Sequence, residues 1–247
     1  MKNHIKSILR KIKHMLIHIK FFLYSKINHF LNSDFQCTTN TKRCSENPKS
    51  PNFKYVYFGK NTPVCCATHL YHILKDSVNA LEKNNLEYFA AYGVILGAIR
   101  HKGLIPWDTD VDIIINQKNF ENAYEILCKE LGNKYIIRKE RYNNVEKSLI
   151  RVYLSEINHL HLDIFMYKDN NDNQLLFISD NILFLKTDIF PFQKIFFYDL
   201  HLSVPKDIEK QLQTFYGKDY MHYGYRQWAY NKKKFRITNN KPAKIEI

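Results

Sequence analysis

No stretch of 18 uncharged apolar residues occurs anywhere in the 247-residue chain, so no segment reads as a strong transmembrane helix. No small-residue cleavage site follows the apolar segment Met15–Leu31, which Lys20 and Lys26 interrupt, so it does not read as a signal peptide either. An even cysteine framework is missing. The count is five, with a vicinal pair (Cys37, Cys44, Cys65, Cys66, Cys128), which does not fit a small secreted disulfide protein. There is no internal repeat. Acids are absent from residues 1–33 and scarce overall, 24 Asp and Glu against 37 Lys and Arg. With 45% apolar residues, wholesale disorder is excluded. The net charge of +13 points to an anionic partner: phosphates, nucleic acid or an acidic membrane surface.

That charge is unevenly placed. Lys2, Lys6, Arg10, Lys11, Lys13, Lys20 and Lys26 supply seven of the thirteen, leaving a body that is only mildly basic. Between them Ile5, Ile8, Leu9, Ile12, Leu16, Ile19, Leu23, Ile27, Phe30 and Leu31 recur at helical spacing, so residues 1–33 read as a basic amphipathic helix. Such a helix suits an anionic membrane interface; packing on the body or a partner is the alternative. Residues 32–64 are polar and turn-rich, a long loop that something must anchor.

Further on, periodicity predicts a helix from Cys66 to Lys83, a short strand Glu87–Tyr92 and a short helix Val94–Arg100. Strand Val111–Asn116 follows, then a helix Phe120–Leu131 stopped by Gly132. Strands are expected at Tyr135–Arg138, Leu149–Leu154 and Leu160–Met166, a polar turn at 168–173, and a strand-like stretch around Ile195–Leu202. Pro205 suits the first turn of a helix running to Tyr216, ended by Gly217, and the tail after Tyr220 is aromatic and basic. The expectation is an α+β fold, with residues 34–247 as a catalytic domain and 1–33 as an appendage.

The segment "GVILGAIRHKGLIPWDTDVDIIIN", residues 93–116, carries the chemistry. Residues i and i+2 of a strand share a face, so Asp110 and Asp112 project together, with Asp108 just before them, while Val111, Ile113 and Ile115 bury on the other face. In "HLHLDIFM" the same alternation puts His161, Asp163 and Phe165 on one face. If the two strands are neighbours, Asp110, Asp112 and Asp163 converge. Convergent carboxylates on a sheet suit a hard cation such as Mg²⁺ bound with a substrate's phosphates. Upstream, Gly93 and Gly97 flank a turn into the short helix, and Arg100 and Lys102 follow, a pattern that suits a phosphate cradle. A turn cap or a surface pair would account for two of the acids, but hardly for Asp163 inside an apolar strand. His161 and Trp107 read as packing residues.

The cysteine spacing, Cys37-x6-Cys44-x20-Cys65-Cys66, is not a generic zinc pattern. Taken alone it reads as buried structural cysteines, although it brackets the loop that lacks an anchor. Cys128 sits on a predicted helix and reads as core.

Gly97-Ala98, an eleven-residue gap and Asp110-Val111-Asp112-Ile113 are similar to the signature of the nucleotidyltransferase fold. More narrowly, "LGAIRHKGLIPWDTDVDI" resembles the LicD/fukutin-related family of alcohol-phosphate transferases. The likeness continues through "RVYLSEINHLHLDIF" and, more loosely, "FPFQKIFFYDLHLSVPKDIEKQLQTFYG", covering roughly residues 37–220. It implies a nucleotidyltransferase-like mixed sheet flanked by helices. It also implies transfer of an alcohol phosphate (ribitol phosphate first, glycerol phosphate or phosphocholine next) from a CDP-alcohol to a glycan hydroxyl, with CMP released. By the resemblance Asp110, Asp112 and Asp163 bind Mg²⁺ or Mn²⁺ beside Asp108, and Cys37, Cys44, Cys65 and Cys66 form a structural Zn²⁺ loop at residues 37–66. Val94 stands where the family has Ser or Thr. Two alternatives stay open: a nucleotidyltransferase using a nucleoside triphosphate, and a non-catalytic zinc-stabilised RNA-binding module. Against the second, carboxylates lining a groove repel a phosphate backbone, so no nucleic-acid partner is expected. Reduced cysteines suggest a cytoplasmic enzyme peripheral to a membrane, with the Golgi lumen as the alternative.

Overall fold

The computed structural model describes residues 2–31, 36–56, 58–142, 145–227 and 232–246; parts of the expected linker (32–35, 57) and of the tail (228–231) lie outside them. A mixed sheet is built from β1 (Tyr88–Ala90), β2 (Val111–Asn116), β3 (Ile136–Tyr142), β4 (Val145–Tyr153) and β5 (His161–Asn171), in the order β1-β2-β5-β4-β3. Strands β2 and β5 run parallel and the other neighbours antiparallel. The outer half of β5 leaves β4 and pairs instead with β6 (Gln174–Phe177), which pairs with β7 (Ile182–Leu185).

Both faces of this sheet are covered, and that places the acids. Val111, Ile113, Ile115, Leu162, Ile164 and Val152 bury against helices α2 (Val64–Lys83) and α4 (Phe120–Leu131). The other face carries Phe89, Ile114, Leu149 and Phe165, covered by Leu175, Phe177 and Phe184 of β6 and β7. Ile114 is fully buried, so β2 is apolar on both sides from Ile113 to Ile115. Asp112 and Asp163 share the second face with Ile114 and Phe165, two residues nearer the strands' N-terminal ends.

Several elements differ from the sequence expectation. Helix α3 (Tyr92–Arg100) begins two residues earlier than expected, and α2 begins at Val64, ahead of both vicinal cysteines. The polar run at 168–173 is mostly strand, with β5 continuing to Asn171 before a tight turn. The stretch around Ile195–Leu202 is a hairpin, β8 (Gln193–Phe197) and β9 (Leu200–Val204), turning at Tyr198, whose φ is +54°. Pro205 lies before its helix: α6 (Ile208–Tyr216) is capped by Asp207, whose side chain accepts from the Lys210 N–H at 2.8 Å. A 3-10 turn at Gln117–Asn119, a one-turn helix α5 (Lys186–Ile189) and a hairpin of β10 (Tyr223–Gln227) and β11 (Lys232–Arg236) are also present.

Residues 2–31 form one helix, α1. The described residues between 36 and Pro63 form no helix or strand, and hydrogen bonds hold this loop at both ends. Asn158 and Ser155 donate to the carbonyls of Thr38 and Thr39, at 3.1 and 2.5 Å. At the far end the Thr62 N–H donates to the Pro106 carbonyl at 2.7 Å. Phe53 and Tyr55 bury beneath it.

Candidate active site and cysteine cluster

The carboxylates form a row across the sheet. Asp112 is the register partner of Asp163, and Asp163 is the partner of Arg151 on β4. Neighbouring strands lie about 4.8 Å apart, so two acids and a cation stand side by side. Arg151 resolves half of the repulsion. Its guanidinium grips Asp163 through both oxygens, Nε to Oδ1 at 2.5 Å and Nη2 to Oδ2 at 2.7 Å. Its remaining amine donates to Glu140 Oε2 at 3.0 Å and to the Tyr153 hydroxyl at 3.3 Å.

Asp108, Asp110 and Asp112 have no such partner in the row. All three are only partly exposed, and they line a cleft of about 350 Å³ with Tyr92, Trp107, Tyr216, Tyr223 and Tyr225. Burial pushes the Asp108 carboxyl up to about 8, helped by the charge of Asp110. Asp110 is raised by burial and by Asp163, and Asp112 well above the ordinary range by burial and by all three neighbouring acids. The same carboxylates, together with burial, raise the Tyr216 phenol. The cleft therefore holds negative charge only reluctantly.

Of the four expected phosphate-cradle residues, Gly93 and Arg100 line the cleft and Gly97 and Lys102 do not. A Cβ on Gly93 would lie 2.4 Å from Asp108 Oδ2, so the group that approaches α3 closely there is a carboxylate of the chain itself. A Cβ on Gly97 would lie 2.4 Å from the Gly103 carbonyl oxygen, so that glycine admits the returning loop 103–105. Arg100 lines the cleft, but its guanidinium donates to the carbonyls of Tyr220 and Tyr223, at 2.6 and 3.2 Å, and lies over the Trp107 ring. It latches the tail to α3. Lys102 is exposed and outside the cleft lining.

A further cation was not legible in the sequence. Arg43, in the cysteine loop, is 9% exposed and donates to the Thr109 carbonyl at 2.5 Å, between Asp108 and Asp110. Its charge lowers both carboxyls against the upward pull of burial. The Thr62 hydroxyl donates to the Asp108 carbonyl. The cysteine loop thus grips the aspartate loop at two successive carbonyls.

The other wall of the cleft is the β10–β11 hairpin, which was legible only as an aromatic and basic tail. Gly224 lets it close: a Cβ there would lie 2.8 Å from Trp107 Cζ2 and 2.9 Å from Phe235 Cζ. The segment after it returns to the core, where the Ala243 N–H donates to the Leu104 carbonyl at 2.9 Å and the Tyr198 hydroxyl donates to the Ala243 carbonyl at 2.8 Å.

Cys37, Cys44, Cys65 and Cys66 do come together. Their sulfurs all lie within 4.8 Å of one another, with Cys37 and Cys44 3.0 Å apart, and none is in a disulfide. Among the described residues no other set of three metal-ligating side chains closes this tightly. The aspartates do not form such a set, and Arg151 engages both oxygens of Asp163. The vicinal pair converges because both residues sit in the first turn of α2 rather than in extended chain. Hydrogen bonds among the thiols pull Cys65 and Cys44 down and push Cys37 and Cys66 up. Cys128 lies apart on α4, half-buried.

Residues 85–207, which run from the turn before β1 to the cap of α6 and contain all four aspartates, match the sequence profile described as "LicD/FKTN/FKRP, nucleotidyltransferase domain". The chain belongs to the LicD family. A mouse protein named Ribitol 5-phosphate transferase FKRP is 33% identical over 138 residues, 56% of this chain and 28% of that protein. An uncharacterised Rickettsia prowazekii protein is 32% identical over 166 residues, 62% of this chain and 54% of its own length. The Haemophilus influenzae lipopolysaccharide cholinephosphotransferase LicD is 34% identical over 61 residues, 24% of this LicD-family chain and 23% of that protein. The match therefore spans from about a quarter to about half of these relatives. Among solved structures, a lincosamide antibiotic adenylyltransferase, LnuA, superposes with a TM-score of 0.41 at 17% identity, covering 65% of this chain and 89% of that one, too loose a likeness to argue from.

Proposed function

We propose that this chain transfers an alcohol phosphate from a CDP-alcohol to a glycan hydroxyl, with CMP leaving. Family membership supports the reaction class, and one observation carries the reading. Three half-buried acids at a cleft, Asp108, Asp110 and Asp112, are raised by burial and by neighbouring carboxylates, a combination that a bound cation would relieve. Their oxygen-only donor set, at the mouth of a strand, fits Mg²⁺ or Mn²⁺. Asp110 and Asp112 would hold the ion, with Asp163 joining if Arg151 releases one of its oxygens. A divalent ion there would supply charge neutralisation for the donor diphosphate and the departing CMP.

The chain's own residues do the rest. The aromatic side chains of the cleft, Tyr92, Trp107 and Tyr225 among them, shape an apolar wall that limits water around the reacting phosphorus. A base must take the proton of the acceptor hydroxyl, and of Asp108 and Asp163 the former is the better placed. It faces the cleft, and a cation beside it would offset the burial that raises its carboxyl to about 8, leaving a carboxylate able to accept that proton. Asp163 has both oxygens engaged by Arg151. Four buried or half-buried thiols within 4.8 Å fit a closed tetrahedral Zn²⁺ site, with Cys37, Cys44, Cys65 and Cys66 as ligands and a structural role.

The test is CMP release from CDP-ribitol, CDP-glycerol and CDP-choline in the presence of Mg²⁺ and candidate acceptors. Release from at least one donor, abolished by Asp112→Asn, is expected. Pyrophosphate release from a nucleoside triphosphate, with every CDP-alcohol left intact, would replace the reading with nucleotidyl transfer.

A further inference from the structure

We propose that α1 is a docking helix for an anionic lipid bilayer, lying in the plane of the interface. This does not depend on the reaction proposed above. The helix is 30 residues long and carries its large apolar side chains outward: Leu9 is 59% exposed, Leu16 57% and Phe30 88%. At 100° per residue, Leu9, Ile12, Leu16, Ile19, Leu23 and Ile27 fall on an arc of about 80°. Lys6, Lys13 and Lys20, all exposed, recur every seventh residue and so run as a line along one flank of that arc. Phe22, which lies off the arc, meets Phe58 of the body at 5.3 Å between ring centroids, leaving the apolar face uncovered.

Two occupants compete for such a face. The spacing of Leu9, Ile12, Leu16, Ile19 and Leu23 is also that of a coiled-coil seam, which would pair copies of the chain. Charge decides against it. The helix has seven Lys and Arg and no Asp or Glu, so a bundle of copies would crowd cations with nothing on any neighbour to offset them. An acidic bilayer surface supplies that counter-charge and absorbs the apolar arc together. The helix lies on the membrane rather than through it, because no described helix is long and apolar enough to cross one.

The test uses the full chain and sedimentation with vesicles of phosphatidylcholine alone or mixed with phosphatidylglycerol. Binding is expected only to the mixed vesicles and should weaken as salt is raised. The triple variant Lys6→Gln, Lys13→Gln, Lys20→Gln should lose about a hundredfold in affinity, from about one kcal/mol per cation. Leu16→Glu should lose binding, both by removing apolar surface from the face and by placing an anion against the bilayer. Circular dichroism and thermal melting of each variant guard against misfolding: a variant that melts with the wild type and does not bind supports the proposal. Equal binding by Leu16→Glu, or no binding of the wild type to the mixed vesicles, overturns it. So does a wild type that stays off vesicles while forming oligomers that Leu16→Glu dissolves, an outcome that assigns the face to a second copy of the chain.

Discussion

Two carboxylates in register on parallel neighbours repel, and a chain keeps them only when something nearby rewards their charge. For Asp163 that partner is Arg151. For Asp110 part of the compensation comes from Arg43, whose grip on the Thr109 carbonyl also fixes the backbone that carries Asp108 and Asp110. Arg43→Ala should therefore act on geometry as well as charge. Losing the donor leaves a carbonyl short of a partner and costs about 1–3 kcal/mol of stability. Turnover should fall by about tenfold to a hundredfold, with a higher Mg²⁺ requirement at saturating donor, because misplaced ligands lower kcat. Arg43→Lys should recover the metal requirement better than the stability, since it keeps a cation and loses the planar fork. A Mg²⁺ titration of each variant checks this, and an unchanged requirement in Arg43→Ala would remove the residue from the positioning role. At this scale the alternation of Asp110, Asp112 and Asp163 was legible, because strand parity is local. The arginines were not. Arg151 meets Asp163 only through the register of β4 on β5, and Arg43 reaches Thr109 across 66 residues of sequence.

Elements were legible where periodicity ran long and failed where strands were short. Helices α2 and α4 and strands β2 and β5 lie close to their expected places. Strands β6 and β7 were invisible as four-residue pieces in a polar surround, and β8 and β9 fused into one apparent strand because Tyr198 turns the chain without glycine or proline. The tail hairpin was hidden for another reason. Its closure on Trp107 is a packing event, signalled by one glycine that lacked a readable context. Gly224→Ala tests its weight. With about 1–3 kcal/mol of overpacking to relieve, the hairpin should draw back from Trp107, raising KM for the donor while leaving the Mg²⁺ requirement unchanged. A KM equal to the wild type's would show that the hairpin does not touch the donor. The cysteine loop makes a parallel case. Cys65→Ser should lower both zinc content and Tm, and Cys128→Ser should leave zinc content unchanged; elemental analysis of the purified protein and thermal melting decide it.

Across the whole molecule the reluctance of the cleft to hold charge becomes a dependence of stability on pH. Asp108 titrates near 8 in the folded chain against 3.8 ordinarily, and Asp110 and Asp112 are raised with it. Between those values the folded state keeps protons that the unfolded chain has released, so this cluster's contribution to stability falls as pH rises through the window. Other acids pull the opposite way: Asp169 and Asp219, lowered by Lys186 and Lys234, add stability as pH rises through the ordinary carboxylate range. The wild-type melting curve is therefore a sum, and Asp108→Asn isolates this carboxyl's share. Near the lower end of the window the native carboxyl is protonated and close to Asn in shape and charge, so the metal-free variant and wild type should melt together. Near the upper end the wild type carries a repelled carboxylate that the variant lacks, and the variant should melt higher. Excess Mg²⁺ should narrow that gap by stabilising the wild type as pH rises, because the ion binds the ionised acids. Thermal melts of chelator-treated and Mg²⁺-loaded protein across the window measure both effects. A metal-free Asp108→Asn variant that melts below the wild type at the upper end would mean that its carboxylate is compensated by the protein itself, and the case for a resident cation at these aspartates would fall with it.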